Sequence, residues 1–502
     1  MADIRLTPPE IEDLPRWAIY SMAGGLNQGF PSTILDNQAR DLQNMLPYLP
    51  PSIETRRGCV RLNVTPIGTN PIWGLYSFDR ITGSELLAAS GTDIFRWTGT
   101  AFVSIRSALT ANQRVRFDTW RGATDLCLIV NGREAPLRYD GTTVANLGGS
   151  PPTASLVKVH RNRVFLNNVS FPSRFHWSDA GTAEAWAATS WMDVPGRDRI
   201  VAFAVWVDSL VIFKEDSVWF LHGTAPANWT LKRGAPTVGA TSQESVVNFS
   251  SDLLFLSRLG IHRLSGVTTE VTFSFDALRS RELTAHTTTL RDNFTKGLLE
   301  RACAINFNDW YWLSLGEGAA THHNLVVVID PFIDPPGIYP LRGWRLSSMC
   351  VSRQEGEDRF YGGSSEAIGR VWRLDHGTND DGVAINAYYK TKYYGAARAF
   401  QRMKKIQIIT QNSGNYHVNM EQHLDFEAKV ATLLPLLVSD GASLWDSMVW
   451  DAHNWGGAQD LILRRYLSDA GRYCSFHFFN TNRDQPFALR GFECWSDLQR
   501  AR

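Results

Sequence analysis

Six cysteines are all that this 502-residue chain carries, and Cys59, Cys127, Cys303, Cys350, Cys474 and Cys494 lie far apart with no C-x-x-C pair. That spacing excludes a zinc ribbon and the disulfide-dense scaffold of small secreted domains. Buried thiols in a protein made in a reducing cytoplasm are expected instead. An excess of one charge is missing too, since 50 Lys and Arg cancel 50 Asp and Glu. A protein that coats nucleic acid gains its affinity by neutralising phosphates and is normally basic, so a tight DNA grip is excluded. No apolar run is long enough to span a bilayer. The longest, "IVAFAVWVDSLVIF", is broken by Asp208. "MADIRLTPPEIEDLP" places acids and prolines where a signal peptide needs an apolar stretch. A soluble chain without a secretion signal or membrane-spanning segment is expected.

Catalytic and cofactor signatures are equally scarce. The chain holds no G-x-x-x-x-G-K-[ST] phosphate loop, no H-E-x-x-H pair, no G-x-S-x-G elbow and no G-x-G-x-x-G after a strand. His322 and His323 are adjacent, so on a strand they point to opposite faces and cannot chelate one ion together; an exposed turn is expected there. "HWSDAGTAEAW", His176–Trp186, approaches the S-x-D-x-G-x-T-W aspartate box of sialidase-like propellers but departs at Asp179 and in the length to Trp186. Such a box is in any case a structural turn, whereas glycosidase chemistry needs two carboxylates across a sugar bond. No catalytic residue, metal ligand or cofactor is therefore assigned, and the chain is not expected to be an enzyme.

What is abundant is large apolar surface: 44% hydrophobic residues and 18 tryptophans, the material of cores and subunit interfaces. A repeat lies within it. "IFRWTGTAFVSI", "PLRYDGTTVANL", "RFHWSDAGTAEAW", "VWFLHGTAPANW" and "IHRLSGVTTEVT" each run a strand into a polar turn. Aligned on Trp97, Tyr139, Trp177, Leu221 and Leu264, they recur at intervals of 42, 38, 44 and 43 residues. Looser copies follow around Ile329 and Leu374. Strand–turn–strand signatures precede several of these anchors, with polar turns such as His160–Asn162 and Asn308–Asp309. Units of about 40 residues with three or four short strands match β-propeller blades. An irregular pair of sandwiches would make the equal spacing accidental.

The expected fold is all-β: a β-propeller of six or seven blades over residues 67–385, with an extended N-terminal arm (1–66) and a C-terminal all-β domain (386–502). A helical insertion is expected near 275–295, in "FDALRSRELTAHTTTLRDNF". In the C-terminal region, "KIQIITQNSGNYHVNMEQHLDF" and "LILRRYLSDAGRYCSFHFFN" read as long hairpins turning at Asn412–Asn415 and Ser468–Gly471. Between them "LWDSMVWDAHNWGG" is a candidate contact loop. The basic pairs Lys404–Lys405 and Arg464–Arg465 read as solvated strand faces or edge protection.

The first 66 residues are rich in proline and show little periodicity, so they cannot form a core alone. Asp36 is placed to cap a short helix carrying Ala39, Leu42 and Leu46 on one side. Such an arm becomes ordered only against its own propeller or a neighbouring subunit. The candidate interaction residues are Gly24, Gly25, Leu26 and Asn27, then Asp36, Asn37, Gln38, Ala39 and Asn44, then Arg56, Arg57 and Gly58.

These three blocks resemble the tail nozzle proteins of short-tailed bacteriophages, also called tail tubular protein B or packaged-DNA stabilisation proteins. They match a G-G-[LI]-[NS] turn, a [DN]-x-x-A-x-x-x-x-N stretch and an "RRG" entering a β-rich region. In outline the similarity runs on through the propeller to "GFECW" near the C-terminus. The resemblance implies a structural virion protein, assembled in the host bacterial cytoplasm and located in the tail. It would form a homohexameric ring below the head–tail adaptor ring, contact tail fibres, spikes or a plug, retain packaged DNA and conduct double-stranded DNA without sequence-specific binding. Two other classes remain open: a glycan-binding propeller or glycoside hydrolase of a phage tail, and a cytoplasmic scaffold that binds peptides.

Overall fold

The computed structural model describes residues 14–29, 32–234, 237–249, 252–265, 274–277, 296–333, 336–354, 356–395, 400–411, 413–427, 432–439 and 460–499. Most of the expected helical insertion and the tryptophan-rich loop lie outside these residues. The chain divides into two compact units. One comprises 59–330 and 342–376, the other 1–58, 331–341 and 377–502.

The first unit is a seven-bladed β-propeller built from antiparallel sheets. Its innermost strands, Ile72–Arg80, Arg116–Trp120, Val157–His160, Ile200–Trp206, Val247–Phe249, Cys303–Phe307 and Leu346–Gln354, neighbour one another in sequence, and the last lies against the first. The circuit is closed. All seven repeat anchors fall on the third strand of a blade, from Trp97 on Asp93–Trp97 to Leu374 on Val371–Leu374. The seventh blade is completed by Cys59–Arg61, which pairs with Val371–Leu374. Within the expected arm, these residues instead close the ring with a strand from before the first blade.

Both faces of a blade are buried, so its strands need apolar residues at successive positions rather than a clean alternation. Leu126–Val130 is buried throughout. Cys127 and Ile129 pack against the first blade, while Leu126, Leu128 and Val130 pack against the third. Two of the expected hairpin turns carry consecutive residues at positive φ, Arg161–Asn162 and Asn308–Asp309, the geometry whose twist suits a two-residue hairpin. The aspartate-box-like segment connects the third and fourth strands of its blade, where Ser178 Oγ accepts the Val164 amide at 3.0 Å. His323 is not on an exposed turn: it is buried, with Nδ1 2.7 Å from the Leu346 carbonyl oxygen.

The second unit is a two-sheet assembly. In one sheet Ala488–Gln499 lies between Phe400–Gln411 and Ile53–Thr55, and among the described residues Asp460–Tyr466 forms an edge. In the other, Tyr473–Asn480 lies between Ala387–Thr391 and His417–Leu424, with Thr432–Leu437 outermost. The sheets meet through aromatic packing, with the Phe476 and Phe492 rings 5.3 Å apart at 74°. Both expected hairpins are corrected by this topology. Phe400–Gln411 and His417–Leu424 belong to different sheets, as do Asp460–Tyr466 and Tyr473–Asn480. Their turns are crossings between layers. The basic pairs divide as well. A bulge between Met403 and Lys405 turns Lys405 inward, its ammonium 4.6 Å from the centre of the Trp495 ring, whereas Arg464 stays exposed.

The N-terminal residues are part of this unit. Arg16–Ile19 pairs with the C-terminal strand and Ala39–Gln43 with Ala387–Thr391. The expected helix after Asp36 is therefore a strand. Its apolar residues Ala39 and Leu42 are buried against a sheet that needs an edge, and tertiary pairing overrides the weak local helical preference.

Candidate functional site

The three motif blocks converge inside the second unit. Gly24 donates its amide to the Asn37 carbonyl oxygen at 2.9 Å, Asn27 donates to Ala39 O at 2.8 Å, and Ala39 donates back to Gly25 O at 2.8 Å. The buried side chains close the same turn: Asn27 Nδ2 donates to Gln38 Oε1 at 2.8 Å, which also accepts the Leu35 amide. Leu26 is buried and its amide donates to Ile338 O at 2.8 Å. Gly25 requires its lack of a side chain, because φ is +75° and a Cβ would lie 2.5 Å from the Ile338 nitrogen.

Asn44 and Arg56 form the second half. Asn44 takes φ +56°, a conformation asparagine tolerates better than most residues, and donates Nδ2 to Asn386 O at 2.8 Å. Its Oδ1 accepts Arg56 Nε at 3.1 Å. The Arg56 guanidinium is wholly buried and forks onto Asp380, with Nη1 and Nη2 at 2.8 and 2.6 Å from the two carboxylate oxygens. Bidentate charge-assisted geometry of this kind is the strong form of an ion pair. Arg57 is exposed and lies over the Tyr48 ring at 4.8 Å. Asp36 is the other exposed charge of the motifs, paired with Lys392.

Ten of the twelve motif residues thus lie wholly or partly inside the fold, leaving Asp36 and Arg57 as exposed motif positions. At Gly58 a Cβ would sit 1.8 Å from the Asn379 carbonyl oxygen. Gly58→Ala is expected to destabilise this unit by about 2 kcal/mol, the usual scale of overpacking. Chemical denaturation of the two proteins checks it, and an unchanged transition would remove the steric argument.

Sequence reading missed Asp380 and Asn386, because nothing local marks an aspartate more than 300 residues from its arginine. It also missed a charge cluster on the propeller axis. Glu244, on the short turn Gln243–Ser245, receives Arg114 Nε at 3.2 Å and Arg116 Nε at 2.6 Å. Burial alone would raise the Glu244 pKa, but the two guanidiniums outweigh it and hold the carboxyl far below the ordinary range. The adjoining cavity, about 230 Å³, is lined by Gly74, Tyr76, Phe117, Lys158, Cys303 and Met349, all from innermost strands. A larger cavity of about 460 Å³ lies between the fourth and fifth blades, with Glu215, Asp216 and Glu300 beside Arg199 and Arg258. Among the described residues one group of metal-capable side chains comes together, Glu421, His423 and His477.

No family model matches the chain, and no curated protein matches it. Among solved structures, BBS1N in complex with ARL6DN is similar at 9% identity and a TM-score of 0.43, over 64% of this chain and 98% of that one. Raptor from Chaetomium thermophilum aligns at 9% identity and 0.43, over 64% and 30% of the two chains. The N-terminal domain of Nup159 aligns at 10% and 0.37, over 64% and 96%. Similarity at this level says nothing of function. The all-β propeller assignment stands on the closed circuit of seven blades.

Proposed function

We propose that this chain is a structural subunit of a short-tailed bacteriophage tail nozzle, a ring below the head–tail adaptor that retains packaged DNA and conducts it during ejection. The observation that supports this reading is the convergence of the three motif blocks. Residues up to 34 positions apart, from Gly24 to Gly58, close one hydrogen-bonded network that knits the N-terminal segment to the C-terminal strands. The blocks then act in this reading as an internal lock of the subunit, with the exposed Asp36, paired with Lys392, and Arg57, over the Tyr48 ring, at its surface.

In such a ring the DNA path lies between subunits. The axis of each propeller carries the Arg114–Glu244–Arg116 cluster beside a cavity far too small for a duplex. A ring also needs complementary surfaces on every copy. Among the described residues Asp460–Tyr466 is an edge strand whose exposed face carries Ile462 and Tyr466, at 55% and 71%, alternating with the charged Asp460 and Arg464, so a neighbouring copy would have to match both apolar and charged positions. The glycan-binding or hydrolase alternative has one observation in its favour, the carboxylate-lined cavity between blades; an oligosaccharide bound there would support it.

The mass of the full-length protein, with electron micrographs, tests the proposal alone and with a candidate adaptor. A six-membered ring with a central hole, or one that forms on the adaptor, is expected. A monomer that ignores the adaptor would overturn the reading.

A further inference from the structure

The outer face of the second unit's second sheet gathers two imidazoles and a carboxylate. On His417–Leu424 the residues Val418, Met420 and Leu424 are buried, and on Tyr473–Asn480 so are Cys474, Phe476 and Phe478. The alternation of a strand therefore turns Glu421, His423 and His477 to the opposite face, where each is only partly covered or half-buried. Register places Glu421 directly across from His477, with His423 one diagonal step away.

Glu421 Oε2 lies 3.1 Å from His477 Nδ1 and 3.3 Å from His423 Nε2. One oxygen therefore faces two ring nitrogens, and the ligand atoms of all three residues lie within 4.8 Å of one another. The His477 ring is held in place, stacked on Phe479 at 4.7 Å and edge-on to Tyr388 at 5.7 Å. Its Nε2 is buried with no hydrogen-bond partner among the described residues. The neighbouring cations are engaged elsewhere, Lys390 with Asp41 at 3.4 Å and Arg40 with Glu427 at 2.8 Å. Glu427 adds a second carboxylate oxygen 3.9 Å from His423 Nδ1.

We propose that Glu421, His423 and His477 bind one divalent transition-metal ion of the zinc, cobalt or nickel class, with a fourth position open to water or an incoming group. Two imidazoles and one carboxylate suit these ions, while calcium and magnesium prefer an all-oxygen set. Ligand bonds of about 2.0–2.2 Å to a tetrahedral ion place the ligand atoms roughly 3.3–3.6 Å from one another; the 3.1 and 3.3 Å separations from Glu421 are already near this, and the two ring nitrogens, no more than 4.8 Å apart, need only a movement of side-chain torsions on a fixed pair of strands. The bound ion would cross-link the two strands. This inference is independent of the nozzle reading.

The test uses tag-free, metal-stripped, full-length protein titrated with Zn²⁺ by calorimetry and with Co²⁺ by visible absorption. One ion per chain is expected, with a rise in melting temperature on zinc addition. His423→Ala and His477→Ala should each weaken binding at least about tenfold and abolish that rise, while His417→Ala, exposed on the same strand, should not. X-ray absorption of the cobalt-loaded wild type needs no variant and should show two imidazoles. Absence of stoichiometric binding, binding that survives the double histidine variant, or a cobalt shell without imidazole would each overturn the proposal.

Discussion

Arg56→Met is expected to cost the unit containing both chain ends about 3–5 kcal/mol, the scale for removing one partner of a buried ion pair. The guanidinium is fully enclosed, and its loss removes the bidentate partner of the Asp380 carboxylate, itself only 14% exposed, and a donor to the Asn44 amide oxygen. The variant cannot recover this through better packing, because the cost lies in the polar groups left behind. Arg56→Lys keeps the charge but cannot reproduce the fork and the Nε bond at once, so it should fall between the two. Removing Asp380 as well, in Arg56→Met with Asp380→Leu, should cost less than the sum of the single changes, since the carboxylate that lost its bidentate partner is then gone too. Denaturant unfolding of the wild type and the four variants, Asp380→Leu alone included, reading the transition of this unit separately, measures each difference. A loss below about 1 kcal/mol for Arg56→Met would show that the pair does not hold the motif blocks together.

The second large effect belongs to the propeller. Glu244→Gln is expected to destabilise it by about 3 kcal/mol at neutral pH, because Arg114 and Arg116 are then two close guanidiniums without a counter-charge. The side chains are 12%, 18% and 21% exposed, so solvent screens the repulsion only in part. The pH dependence gives a sharper test. The folded-state pKa of Glu244 lies below its unfolded value, so its contribution is fully present above the ordinary carboxylate range and disappears as pH falls through and below it. The difference between wild type and Glu244→Gln should therefore be greatest above pH 5 and shrink under acid. His262 and His323 are buried with pKa values lowered to about 4. Both unfold into forms that protonate near pH 6.5, so stability also declines between pH 6.5 and 4 in both proteins. That shared slope cancels in the comparison. A difference that stays constant down to pH 3 would rule out the charge mechanism.

The propeller was legible because each blade is a local unit repeated at nearly constant length. Trp97, Tyr139, Trp177, Leu221 and Leu264 mark the same strand in five successive blades, and Ile329 and Leu374 complete the set despite irregular spacing. Local signals worked wherever the partner was the next strand, as at Arg161–Asn162 and Asn308–Asp309. They failed where the partner was remote. "DNQARDLQ" offers a helix cap and apolar residues at helical spacing, yet Ala39–Gln43 is drawn into a strand by Ala387–Thr391. The C-terminal turns looked like hairpins because strand, polar turn and strand is also the pattern of a chain stepping between sheets.

Sequence by itself determined the all-β class and the blade repeat, since these follow from composition and periodicity within about 40 residues, while the three motif blocks stood out only through their resemblance to a family. Only the tertiary structure decided that Cys59–Arg61 closes the ring, that the N-terminal strands complete sheets formed by the C-terminal region, and that Arg56 meets Asp380. It also decided that Glu421, His423 and His477 share one face, because the register between two strands separated by some 50 residues sets which side chains meet. Backbone hydrogen bonds are the same for every residue type, so pairing between distant strands is selected by the burial and side-chain fit of the whole fold, which no short stretch of sequence contains.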